Sequence, residues 1–125
     1  MPESVKTIGG SAFAFCVSLT DITIPDSVIS IEDYAFQLCL SLTGINIPDN
    51  VTSIGNYAFS YCVSFTNIII PDSVTSIGYS IFSGCTGLES ITVNDGNTQA
   101  EGVSFVYKKS GYRLVTTQFY YVLEN

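Results

Sequence analysis

PDSVTSIGYSIFSGCTGLESITV, residues 71–93, is one copy of a unit that fills about three quarters of the chain. Copies begin at Pro2, Pro25, Pro48 and Pro71, a period of 23 residues. A fixed period in this range marks a solenoid, where each unit is one turn of a coil and buries its apolar side chains only against its neighbours. Six columns are identical in all four copies: Pro2/25/48/71, Val5/28/51/74, Ile8/31/54/77, Phe13/36/59/82, Cys16/39/62/85 and Ile22/45/68/91. Three more stay apolar. Ala12, Ala35 and Ala58 align with Ile81; Leu19, Leu42 and Leu88 with Phe65; Ile24, Ile47 and Ile70 with Val93.

The LxxIxI end of each copy reads as a short strand. Leu88, Ile91 and Val93 are expected to face inward, and the strand's period of two turns Ser90 and Thr92 outward. The proline that follows has no N–H for a ladder and ends the strand. The chain must then turn. Gly9, Gly55 and Gly78 suggest a left-handed backbone position, although Glu32 in the same column means it is not reserved for glycine. The AFxxC segment suits about one turn of helix with Phe and Cys facing inward. Stacked turns are expected to pair their strands in parallel, ~4.8 Å apart, and to build ladders of Phe on Phe, Ile on Ile and Cys on Cys.

After Val93 the repeat stops. Asn94-Asp95-Gly96-Asn97 has loop composition. Residues 103–107 and 112–117 flank a tight turn at Ser110-Gly111 and predict a hairpin. Residues 119–123 (FYYVL) form an apolar tail and a candidate third strand. The expected organisation is therefore a β-rich or α/β repeat solenoid, with four turns in residues 1–93 (2–24, 25–47, 48–70, 71–93). Residues 94–125 would cap the last turn, whose core otherwise faces water.

The unit P-D/E-x-V-x-S/T-I-x-x-x-A-F-x-x-C-x-x-L-x-x-I-x-I resembles a leucine-rich repeat, and more narrowly the BspA-like subclass found in surface proteins of bacteria and some protists. The likeness spans residues 1–93. Residues 102–114 are similar in part to the GVxYxKxGxxL piece that often follows such repeats. The resemblance implies a right-handed coil with one parallel sheet, short helical turns opposite and a hairpin cap. It also implies a non-catalytic adhesion or ligand-binding role at a cell surface or outside the cell. The partner would be a protein, such as a host surface or matrix glycoprotein.

Formal charge is −7, and the imbalance lies in the repeats, where eight acids face only Lys6. This argues against nucleic acid, which requires a basic footprint, and against anionic membrane surfaces. No stretch approaches the ~20 apolar residues needed to span a bilayer as a helix. Met1 is followed directly by PESV, without a signal-peptide pattern. The chain starts at a repeat boundary, as an excised fragment or a short gene would. The four cysteines sit in an inward column among Phe and Ile, which favours free thiols acting as small hydrophobes over disulfides.

No histidine is present, so the commonest general base and metal ligand is missing. No cofactor is expected. Glu3, Asp26, Asp49 and Asp72 form one column after the prolines. An acid there commonly accepts hydrogen bonds from a turn backbone, and a calcium site is the weaker alternative. Asn50-Val51-Thr52 is a glycosylation sequon that recurs in no other turn.

The outward strand positions are the candidate ligand face, because they can vary without harming the core. They comprise Asp21, Thr23, Asn46, Asn67, Ile69, Ser90 and Thr92, with the column Thr20/Thr43/Thr66/Glu89 beside them. A structural or self-assembling repeat protein is the alternative. In that case Thr20, Ile22 and Thr23 would lie on a free sheet edge and support a homodimer through the N-terminal end.

Overall fold

The computed structural model describes residues 1–93 and 105–108. Four turns stack as the 23-residue period requires. Each turn gives a two-residue strand at its Ser/Thr-Ile pair: β1 (Thr7–Ile8), β2 (Ser30–Ile31), β3 (Ser53–Ile54) and β5 (Ser76–Ile77). These pair in parallel in the order β1-β2-β3-β5, with Ile8 opposite Ile31, Ile31 opposite Ile54 and Ile54 opposite Ile77. A second sheet holds β4 (Asn67–Ile70), β6 (Ser90–Val93) and β7 (Phe105–Lys108).

The expectation of one parallel sheet is thus corrected to two sheets. In turns 3 and 4 the LxxIxI segment ladders as β4 and β6, with Asn67 opposite Ser90 and Ile69 opposite Thr92. In turns 1 and 2 the equivalent residues, 20–24 and 43–47, are not strands. They still bury Ile24 and Ile47 and pack Ile22 and Ile45 against the core. Side-chain burial therefore holds the path even where backbone pairing is missing.

No helix forms among the described residues, so the helical reading of AFxxC is also corrected. Two residues per turn sit at positive φ: Ser11, Tyr34, Tyr57 and Ser80 in one column, and Phe15, Leu38, Tyr61 and Gly84 in another. A left-handed residue interrupts the right-handed spiral and costs a non-glycine about 1–2 kcal/mol. Every second backbone N–H is satisfied by the next turn, while those between bond the carbonyl three residues back in their own turn. Phe13 N–H donates to Ala35 O at 2.8 Å, Phe36 to Ala58 at 2.8 Å and Phe59 to Ile81 at 3.0 Å. This third set of inter-turn bonds offsets the strain, since a buried unpaired N–H would cost more.

The glycines at 9, 55 and 78 have no positive φ, contrary to expectation. Gly55 and Gly78 are needed for close approach. A Cβ on Gly55 would strike Asp33, and one on Gly78 would strike Asn56. Those two side chains cap the turn above: Asp33 Oδ1 accepts the Asn56 N–H at 2.8 Å, and Asn56 Oδ1 accepts the Tyr79 N–H at 3.1 Å. Turn 1 has Gly10 in that capping column, with no side chain. This leaves room for Glu32 above it.

The core is the predicted set of ladders. Phe13, Phe36, Phe59 and Phe82 stack with centroids 5.2, 5.5 and 6.0 Å apart and planes within 12°. Phe36, Phe59, Cys39, Cys62, Val28 and Val51 are fully buried. All four cysteines are free. Each proline turn is closed by its own backbone, with Val N–H donating to Pro C=O at 3.1–3.2 Å. The acids after the prolines are exposed and are not the acceptors of these turns.

β7 runs antiparallel to β6, with Phe105 opposite Val93 and Lys108 opposite Ser90. The tail therefore adds a strand beyond the last turn. The rest of the expected hairpin at 112–117, the loop at 94–97 and the segment 119–123 lie outside the described residues.

Candidate functional site

The LxxIxI face carries a cleft of about 450 Å³ between turns 2 and 3. Thr43, Gly44 and Asn46 come from turn 2, Asp49, Asn67 and Ile69 from turn 3, and Pro71 opens turn 4. The alternation of β4 creates it: Ile68 and Ile70 point into the core, which forces Asn67 and Ile69 outward. Ile69 is 57 % exposed, although Ile68 and Ile70 beside it are buried. An exposed β-branched side chain flanked by two amides suits contact with an apolar group on an extended partner.

Of the seven ligand-face candidates, Asn46, Asn67 and Ile69 meet in this cleft. Ser90 and Thr92 lie beside Asn67 and Ile69 on the ladder and are partly exposed. Asp21 and Thr23 are exposed on turn 1, away from the cleft lining. Asp49 lines the cleft as well, although the sequence alone gives it only a proline-turn role. The signal for it is its place two residues after Ile47, which ends the LxxIxI segment of turn 2. Thr20, Ile22 and Thr23 lie on the unladdered segment of turn 1, so the expected free strand edge does not form there.

A second groove, of about 570 Å³, follows the Ser-Ile strands and is lined by Gly10, Glu32, Asp33, Gly55, Asn56 and Gly78, among others. Asp33 and Asn56 are already spent there as caps on the next turn. No group of three or more His, Cys, Asp or Glu is placed to hold a metal among the described residues. The sequon residue Asn50 donates its side-chain amide to Asp26 O at 2.7 Å.

The thiols are donors. Cys39 Sγ lies 3.1 Å from Phe13 O, Cys62 Sγ 3.2 Å from Phe36 O and Cys85 Sγ 3.0 Å from Phe59 O. Burial pushes the Cys39 thiol up to about 11 and the Cys85 thiol up to about 12, and it raises Cys62 as well. These thiols stay protonated at neutral pH, which is the opposite of an activated nucleophile.

A coil of 23-residue turns with Phe and Cys ladders defines a leucine-rich repeat. The BspA type leucine rich repeat region matches residues 1–111 in six copies, and the chain belongs to that family. A leucine-rich repeat protein of T. pallidum is 40 % identical, with a TM-score of 0.71 over 72 % of this chain and 42 % of its own. One from Bacteroides ovatus is 42 % identical, with a TM-score of 0.69 over 73 % of this chain and 24 % of its own. A leucine rich cell surface protein of Faecalibacterium prausnitzii is 36 % identical, with a TM-score of 0.55 over 89 % and 36 %. This chain thus spans less than half the length of each. No curated protein matches it.

Proposed function

We propose that this chain is a non-catalytic binding segment of a cell-surface protein, and that it takes an extended protein ligand across the LxxIxI face. The observation that carries the reading is exposed Ile69 set between Asn46 and Asn67 in an open cleft. Apolar contact at Ile69 supplies affinity, while the two amides offer donors and acceptors to a partner backbone. Eight acids against one lysine in the repeats favour a partner with basic side chains. The surface location is supported by the family and by the Faecalibacterium prausnitzii relative. Lack of catalysis is supported by the absence of histidine and by thiols held protonated.

The test is binding of the chain to immobilised matrix and cell-surface glycoproteins, with Ile69→Arg and Asn46→Arg as comparisons. Each substitution should weaken binding ~tenfold or more if the cleft is central. Binding that survives both changes would overturn the reading.

A further inference from the structure

We propose that two copies of this chain pair through an apolar stripe on the corner that follows the Phe ladder, a face separate from the ligand cleft. The stripe consists of Phe15 and Val17 in turn 1, Leu38 and Leu40 in turn 2, and Tyr61 and Val63 in turn 3. Five of these six are among the exposed large hydrophobic residues, led by Phe15 at 64 % and Tyr61 at 50 %; Leu38 is partly exposed. The inward residue between each pair is the ladder cysteine, so the outward direction follows from alternation. In turn 4 the same columns hold Gly84 and Thr86, and the apolar stripe ends.

Backbone conformation argues that these side chains are kept for a contact. Phe15, Leu38 and Tyr61 have φ of 63, 59 and 59°. Glycine or asparagine would relieve that strain; turn 4 has Gly84 there, and its missing side chain makes room for the Tyr61 ring. A bulky apolar residue at this position is unfavourable both for the backbone and for solubility. Tyr34 and Tyr57, also left-handed, recover something by stacking on each other at 5.2 Å. Phe15 has no ring partner among the described residues. Strained, exposed and apolar residues that repeat over three turns point to a covering surface.

That surface is assigned to a second copy for two reasons. The segments 11–20, 34–43 and 57–66 contain no charged residue. Two chains of charge −7 repel wherever their acids face each other, so a charge-free face is where they can meet. The stripe is also self-complementary within this chain. A two-fold axis through turn 2 lays Phe15 on the partner copy's Tyr61, Val17 on its Val63 and leucine on leucine, as an isologous contact requires. Six side chains make a small interface, so the pairing is weak and concentration-dependent.

The experiment is sedimentation velocity of the full chain in a dilution series into the high micromolar range. Wild type should shift from monomer to dimer. Phe15→Asn with Leu38→Asn should weaken association ~tenfold or more while the melting temperature stays level or rises, because asparagine tolerates positive φ. Ile29→Asp, at another exposed apolar position, should dimerise normally. Phe15→Asp and Tyr61→Lys should each dimerise poorly alone and recover on mixing. The proposal is overturned if wild type remains a monomer throughout, or if the double asparagine variant dimerises equally well. It is also overturned if only Thr23→Pro abolishes the dimer, which would move the contact to the N-terminal end.

Discussion

The thiol of Cys62 lies 3.2 Å from the carbonyl oxygen of Phe36, one turn away, and the same oxygen accepts the N–H of Cys39 at 3.3 Å. The arrangement repeats at Phe13 with Cys39 and Cys16, and at Phe59 with Cys85 and Cys62. Each of these three Phe carbonyls thus uses both lone pairs, one within its turn and one between turns. This explains why the column holds cysteine and not another small apolar residue. A thiol fills the space of a hydrophobe and still donates.

Thiol labelling follows this geometry. Cys39 and Cys62 are fully buried, whereas Cys16 is partly exposed at the first turn. A thiol reagent should modify Cys16 in the folded chain and reach Cys39 and Cys62 only on unfolding. Mass-spectrometric mapping that finds Cys62 labelled as fast as Cys16 would contradict the ladder. Cys62→Ala should cost ~1–2 kcal/mol, since a buried sulfur and one weak donor are lost but the Phe36 carbonyl keeps a partner.

The raised thiols make stability fall at alkaline pH. An unfolded cysteine loses its proton near its ordinary value of about 9, whereas folded Cys39 holds it to about 11 and Cys85 to about 12. Between those values the folded state binds more protons than the unfolded state, so stability decreases as pH rises. The contribution is fully present below pH ~9. Thermal melts should be level from neutral pH to that point and then drop, and the drop should be shallower in Cys39→Ala. An identical alkaline slope in both proteins would show that the thiols are not its source.

Phe59 touches ring partners on both sides, Phe36 at 5.5 Å and Phe82 at 6.0 Å, and also Phe65 at 5.7 Å. Phe59→Ala should cost ~3–5 kcal/mol, a large share of the stability of a small domain. Phe13→Ala, at a partly exposed rung, should cost less. Denaturant melts that rank the two equally would be inconsistent with the stacking order.

Gly55 and Gly9 share a column but not a constraint. A Cβ at 55 meets Asp33, while one at 9 meets nothing within 4 Å. Gly55→Ala should therefore destabilise by ~1–3 kcal/mol through overpacking, and Gly9→Ala should be neutral or slightly stabilising. Equal effects would indicate that backbone conformation, not close approach, sets the column.

The period of 23 residues and the identical Pro, Val, Ile, Phe and Cys columns determined the coil, its register and its core, because an apolar column can be buried only by the same column one turn away. The outward set was legible for the same reason: once Ile68 and Ile70 face in, Asn67 and Ile69 must face out. Tertiary structure alone decided where backbone hydrogen bonds go. The AFxxC segment has helical composition, yet every second N–H found a carbonyl in the next turn, and two left-handed residues per turn replaced the helix. The same contacts chose which LxxIxI segments ladder and brought Asn46 of one turn beside Asn67 and Ile69 of the next. Glycine at 55 and 78 also took its meaning only from the stack, since the atoms that exclude a side chain there belong to another turn.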